Sequence, residues 1–260
     1  MLLAAGFSAG ISPPKFELKT KPGKIVKEVI TILNTADIAA NYNIRTADWR
    51  LNEQQGVDFI EDKLVENSCR PWVRLERKSI QVRSGAQKKY RFEIHTAKDA
   101  KPGLCKFAIL IEPDEKLTVG IGKDQNIKFP VVGRYAVIVY LNIGDVKADV
   151  EYLGMGKKQA NNLLLPTLKF YNKGVTYGRA FGSVVATDAK GKRYDLLVSS
   201  FPVLPGRTEE VLLAPNQADT PKEKIKFNYP LKLKGKIEIG GKTFKINETF
   251  NVREALYKPG

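Results

Sequence analysis

The 260-residue chain has two cysteines and one histidine, and this scarcity removes several classes of protein at once. A disulfide-dense miniature is excluded, and so is a zinc centre built from three or four Cys and His ligands. Imidazole-dependent catalysis would rest on His95 alone. That residue closes a strand-like stretch with no identifiable partner, so it reads as a half-exposed strand residue. No apolar run reaches the roughly 18 residues of a membrane-spanning helix. There is no phosphate-cradling P-loop and no H-E-x-x-H. Asp58, Glu61 and Asp62 lack calcium-loop spacing and read as a solvated acidic turn. The single sequon, Asn247-Glu-Thr249, falls in a strand-like stretch. No catalytic residue, cofactor or metal site is expected, and the chain does not read as an enzyme.

Charge of one sign is in excess. The net charge is +15, with an isoelectric point near 9.6. Residues 1–147 hold 24 Lys and Arg against 17 Asp and Glu, and residues 148–260 hold 19 against 11. The excess is therefore spread along the chain rather than gathered in an arm. The densest basic runs, Lys222–Lys236 and Arg70–Arg91, alternate with apolar residues as exposed strand faces do. A basic face attracts phosphate, but no zinc-finger spacing, aromatic RNA-binding signature or helix-turn-helix pattern accompanies it, so nucleic acid is not an expected partner.

Residues 1–10 read as the end of a secretory signal, an apolar stretch closing in small residues around Ser8 and Ala9, or else as a short apolar strand. Export would make Cys69 and Cys105 a disulfide, because they are the only pair and an oxidising compartment bridges an even count. The closed loop of 36 residues would stabilise by roughly 2–4 kcal/mol.

Apolar residues recur with period two almost everywhere. Val26, Ile30 and Ile32 alternate with Lys27, Val29 and Thr31; Tyr90, Phe92 and Ile94 alternate with Arg91 and Glu93. Phe107, Ile109 and Ile111 follow, then the run Tyr135–Ile143. Each alternation predicts a strand with one face in a core. Pro22-Gly23, Ser84-Gly85 and Pro102-Gly103 supply turn chemistry between them. After a change of character within residues 144–152, new strands are predicted at Leu163–Tyr171, Gly178–Thr187, Tyr194–Val198, Glu209–Leu213, Lys234–Ile239 and Phe244–Val252. Asp188–Gly191 and Gly240-Gly241 read as hairpin turns. The prediction is all-β: two immunoglobulin-like sandwiches in tandem, 11–147 and 148–260.

Several segments, in their order, resemble the periplasmic chaperones of chaperone–usher pilus systems, in a branch away from the P-pilus type. They are Ile11-Ser-Pro-Pro-Lys-Phe-Glu-Leu18, Ile30-Thr-Ile-Leu-Asn34 followed by Asp37, and Tyr42–Trp49, which closes on Trp. Lys101-Pro-Gly103 leading into Phe107–Ile111, and Pro202-Val-Leu-Pro-Gly206, complete the set. The resemblance implies two immunoglobulin-like domains set at an angle, an exported periplasmic protein, pilin-like subunits as partners and an outer-membrane usher as a further one. The competing reading is a secreted two-domain sandwich with a structural or adhesive role.

Such a chaperone lends an edge strand to a subunit that lacks its last strand, with ladder hydrogen bonds giving affinity and alternate side chains filling pockets. Ile127, Phe129 and Val131 have the required spacing, and Leu117, Val119 and Ile121 offer a second set across the polar tip Gly122–Asn126. Pro130 favours an edge position. The resemblance also implies two cations that hold the subunit's terminal carboxylate, and these fall on Lys15 and Arg134. Lys15 replaces the more usual Arg, and Arg134 stands two residues before the strict register position, Ala136.

Overall fold

The computed structural model describes residues 9–52, 56–114, 117–121, 127–131, 133–160, 163–216 and 225–251; for 117–121 and 127–131 it describes the backbone alone. The chain divides into two compact units between Asp145 and Val146. Among the described residues both are built of strands, with one 3-10 turn at Arg70–Trp72.

The first unit begins with β1 (Ala9–Ser12), β2 (Lys15–Thr20), β3 (Ile25–Asn34), β4 (Ala40–Leu51) and β5 (Val57–Ile60). It continues through β6 (Val73–Leu75), β7 (Ser79–Val82) and β8 (Gln87–His95). A long hairpin closes it: β9 (Gly103–Pro113), β10 (Leu117–Ile121), β11 (Ile127–Val131) and β12 (Tyr135–Ile143). One sheet has the order β1-β3-β8-β6. The other runs β2-β12-β9-β4-β5, with β7 also on β4, and β10 and β11 pair as a ribbon.

Alternation decides what is buried. Ile30, Ile32, Tyr90, Phe92, Ile94, Phe107, Ile109, Ile111, Val137, Val139 and Leu141 all enter one core between the sheets. Phe92 packs edge-to-face against both Phe16 and Phe107, with centroids 5.4 and 6.3 Å apart. Burying each such side chain contributes about 1.5–3 kcal/mol. The buried Tyr90 hydroxyl donates to the Arg77 carbonyl at 2.6 Å, and burial pushes its pKa up to about 12. Cys69 and Cys105 are bonded, Cα atoms 5.5 Å apart. Because Cys69 leads into β6 and Cys105 lies in β9, the bond ties the two sheets together.

The first strand changes sheets part-way. Ile11 of β1 lies opposite Ile32 of β3, whereas Lys15 of β2 lies opposite Ile138 of β12 in parallel register. Pro13 and Pro14 make the crossing, and neither has an N–H to extend a ladder. The Pro14 carbonyl accepts from the Ile138 N–H at 3.2 Å. Ala9 and Gly10, read from the sequence as the end of a leader or as a short strand, are paired in β1; residues 1–8 lie outside the described residues.

The second unit contains β13 (Val150–Ala160), β14 (Leu163–Asn172), β15 (Gly178–Arg179), β16 (Phe181–Thr187) and β17 (Arg193–Val198). β18 (Pro202–Val203), β19 (Thr208–Pro215), β20 (Leu231–Ile239) and β21 (Lys242–Phe250) follow. A seven-stranded sheet has the order β13-β14-β19-β17-β16-β20-β21, with β15 paired to β18. The sheet curls until its outer strands meet: the Tyr152 hydroxyl of β13 donates to Glu248 of β21 at 2.5 Å, and Lys242 pairs with Asp149. Leu168, Phe170, Val184, Leu196, Val211, Leu213, Leu233 and Ile237 fill the space enclosed.

Local chemistry sets the turns. Gly240 and Gly241, with φ of 61° and 82°, form a two-residue hairpin loop of the kind that needs both central residues left-handed. In the β16–β17 turn, Asp188 Oδ1 accepts the N–H groups of Lys190 and Lys192, each at 2.9 Å.

Candidate partner-binding edge

The backbone defines the site. β9 and β12 pair from Gly103 opposite Ile143 to Ile111 opposite Tyr135. Beyond the sandwich the same two chain segments continue as β10 and β11, with Leu117 opposite Val131 and Ile121 opposite Ile127. β4 accompanies β9 only as far as Pro113, opposite Tyr42, and β2 accompanies β12 only from Ile138 onward. Past those points the ribbon consists of two strands among the described residues. The outer edge of such a ribbon carries N–H and C=O groups that its partner strand does not use.

The two apolar sets read from the sequence are paired with each other. Phe129 stands opposite Val119, Ile127 opposite Ile121 and Val131 opposite Leu117, while Thr118, Gly120, Lys128 and Pro130 take the intervening positions. The side chains of Ile127, Phe129 and Val131, and the tip at 122–126, lie outside the described residues. Pro130 fits because each strand of a two-stranded ribbon is an edge.

At the base of the ribbon lies a cluster of four charges. Arg45 of β4 pairs with Glu61, just after β5, and with Glu112 of β9, the latter at 2.6 Å. Arg134, just before β12, pairs with Glu61 at 3.1 Å and with Glu112. Each guanidinium thus spans both carboxylates, the planar multidentate pairing that Arg provides. Hydrogen bonding from Arg45 holds both carboxyl groups below their ordinary pKa of 4.5, against the opposing effect of burial. Glu61 is thus paired with both guanidiniums while about a third of its side chain stays exposed. Asp58 pairs with Arg50 at 3.3 Å and accepts from Asn52 at 3.1 Å. Among the described residues no cluster of His, Cys, Asp and Glu could hold a metal ion. His95 is exposed at the end of β8, its Nε2 2.8 Å from Glu93.

The two expected carboxylate-holding cations are not brought together. Lys15 is exposed at the start of β2, its ammonium 2.9 Å from Glu17. It sits opposite Ile138, four positions along from Arg134, roughly 13 Å at a strand's rise. Nothing in the sequence alone singles out Arg45 and Glu112. Their one signal was a charge on a strand with a buried face, and their pairing depends on non-local register.

No family model matches the chain, and no curated protein matches it in sequence. In fold the chain is similar to fimbrial chaperones. The class 5 fimbriae chaperone CfaA superposes with a TM-score of 0.48 at 11% identity, covering 89% of this chain and 98% of that one. The YadV chaperone gives 0.47 at 10%, covering 93% and 99%. A structure of the Salmonella enterica SafA pilin in complex with the SafB chaperone gives 0.47 at 10%, covering 93% and 97%. Similarity at this level assigns neither partner nor activity to the chain.

Proposed function

We propose that the chain is a periplasmic assembly chaperone that stabilises pilin-like subunits by lending them an edge strand, without catalysis. The observation that carries this reading is the two-stranded ribbon of β10 and β11, between β9 and β12 of the first unit. It has unpaired outer edges among the described residues and apolar residues at alternate positions of both strands. Ladder hydrogen bonds from β11 would supply affinity, and Ile127, Phe129 and Val131 would fill the subunit's groove. Lys15 is the cation proposed to meet a subunit's terminal carboxylate, because its ammonium is shared with one exposed acid. Arg134 is proposed to contribute from the base of the ribbon, by holding β12 to β4 and β5 through Glu61 and Glu112. The motif order from Ile11 to Gly206 supports the same reading, and an outer-membrane usher would receive the complex.

Co-expression with candidate pilin-like subunits in an oxidising compartment tests it. Recovery of a one-to-one complex, whose subunit is degraded when this chain is absent, is the expected result. Stable export with subunit levels unaffected would refer the chain to a structural or adhesive role instead.

A further inference from the structure

The second unit carries a face that strand donation does not use. On β20, Lys232, Lys234 and Lys236 are exposed at alternate positions, while Leu231, Leu233 and Ile237 point into the core. Lys245 of β21 lies directly opposite Lys236, and Arg193 of β17 stands in the same row as Lys232, with Thr187 between them. Asp195 and Glu238 share the face. Among the described residues none of the four lysines takes part in an ion pair. Like charges directly opposite on neighbouring strands repel, so the Lys236–Lys245 pair is a cost that the fold does not offset internally.

Two apolar side chains stand at one end of this face. Leu197 is 46% exposed and Phe181 57% exposed. Leu197, Ser183, Lys236 and Lys245 form one row across four strands, and Phe181 begins the next beside Glu238. The cations are thus spread in two dimensions over a sheet rather than strung along a groove. Most are Lys, a hydrated point charge that attracts an anionic surface without the fixed bidentate geometry of Arg. A single strand of nucleic acid would want a track with several stacking rings, and Phe181 is the one exposed aromatic on these rows. Dispersed Lys beside projecting apolar side chains is the composition that binds the headgroup layer of an anionic bilayer.

We infer that the outward face of β17, β16, β20 and β21 docks on a membrane surface carrying anionic phospholipid. Co-sedimentation of the full chain with vesicles of mixed phosphatidylglycerol and phosphatidylcholine tests this, with vesicles of phosphatidylcholine alone as the reference. Binding to the mixed vesicles alone, weakening as salt rises, is expected. The triple variant Lys232→Gln, Lys234→Gln, Lys236→Gln should weaken it by about tenfold or more. Phe181→Ser should weaken it a few-fold, and Lys88→Gln with Lys89→Gln, on β8 of the first unit, should leave it unchanged. Circular dichroism confirms that each variant is folded. Equal losses in the β8 and β20 variants would reduce the effect to net charge and overturn the assignment. So would binding that ignores lipid charge, or displacement of the protein from vesicles by a single-stranded oligonucleotide.

Discussion

Asn34 and Asn172 make the same set of side-chain hydrogen bonds in the two units, two of the three at the same sequence offsets. Asn34 donates from Nδ2 to the carbonyls of Ile38 and Val82 at 2.8 and 3.1 Å, and its Oδ1 accepts the Ala36 N–H at 3.0 Å. Asn172 donates to Thr176 and Val203 at 2.7 and 2.8 Å and accepts from Gly174 at 2.9 Å. The two valines each stand three residues before a left-handed glycine, Gly85 with φ 63° and Gly206 with φ 70°. The residue after each glycine accepts the asparagine's own N–H. One corner, in which a strand end is tied to its next loop and to a distant turn, is therefore built twice.

Replacing either asparagine by alanine should destabilise its own unit by about 2–3 kcal/mol, because buried carbonyls and an N–H lose their partner together. Chemical denaturation followed by a probe in each unit checks this, and Asn34→Ala should leave the second unit's transition in place. A loss below about 0.5 kcal/mol would mean that water replaces the side chain at that corner.

Much of this architecture is legible in period-two alternation, which marks β3 and β8 because each has one face in the core, and in the continuous apolar runs of β9 and β12, where β9 is buried on both faces from Phe107 to Ile111. The hairpin at Gly240-Gly241 is legible because its backbone needs glycine. β13 is not, and the reason is local: a bulge between Tyr152 and Gly154 shifts the register and leaves Leu153 outward and 51% exposed, so the apolar period breaks. The Arg45–Glu61–Glu112–Arg134 cluster is hidden for a different reason. Its members are up to 89 positions apart, and only sheet order brings them together. The Asn corner was half visible, as Asn34 followed by Asp37 and as the Pro202–Gly206 turn, without the link between them.

Gly235 should not tolerate a methyl group. A Cβ there would stand 2.4 Å from the Ser183 carbonyl oxygen and 2.8 Å from the Val184 Cα, both backbone atoms of β16 that cannot move without breaking the ladder. Gly235→Ala should cost about 3 kcal/mol or more. Gly191→Ala meets nothing within 4 Å and carries only the strain of φ 79°, about 1–2 kcal/mol. Thermal midpoints of the two variants should separate accordingly, and equal midpoints would deny close approach of β16 and β20.

The charge cluster makes a prediction about acid. Glu61 and Glu112 have folded pKa values lowered chiefly by the Arg45 hydrogen bonds, so the unfolded chain binds protons first as pH falls. Their contribution is present above the ordinary carboxyl value of 4.5 and lost as pH drops through the lower folded values. Glu61 and both guanidiniums are more than a third exposed, so the total is about 1 kcal/mol. The urea midpoint should fall more steeply below about pH 4.5 in the parent than in Arg45→Met. Parallel curves would show that the cluster adds nothing to folding.

Phe129 and Phe107 should separate partner binding from folding. Phe107 is fully buried in the first core, so Phe107→Ser should cost the isolated protein about 3 kcal/mol or more. Phe129 belongs to the ribbon beyond the sandwich, opposite Val119. If that ribbon enters a subunit's groove, Phe129→Ser removes an aromatic anchor from the interface, and binding should weaken by about 2 kcal/mol or more. On that reading the variant's own stability should change by no more than about 0.5 kcal/mol. Binding measured by titration calorimetry against the co-purified subunit, beside melting curves of the free protein, decides the matter. Retained affinity, or a midpoint that falls as far as that of Phe107→Ser, would remove Phe129 from the donor strand.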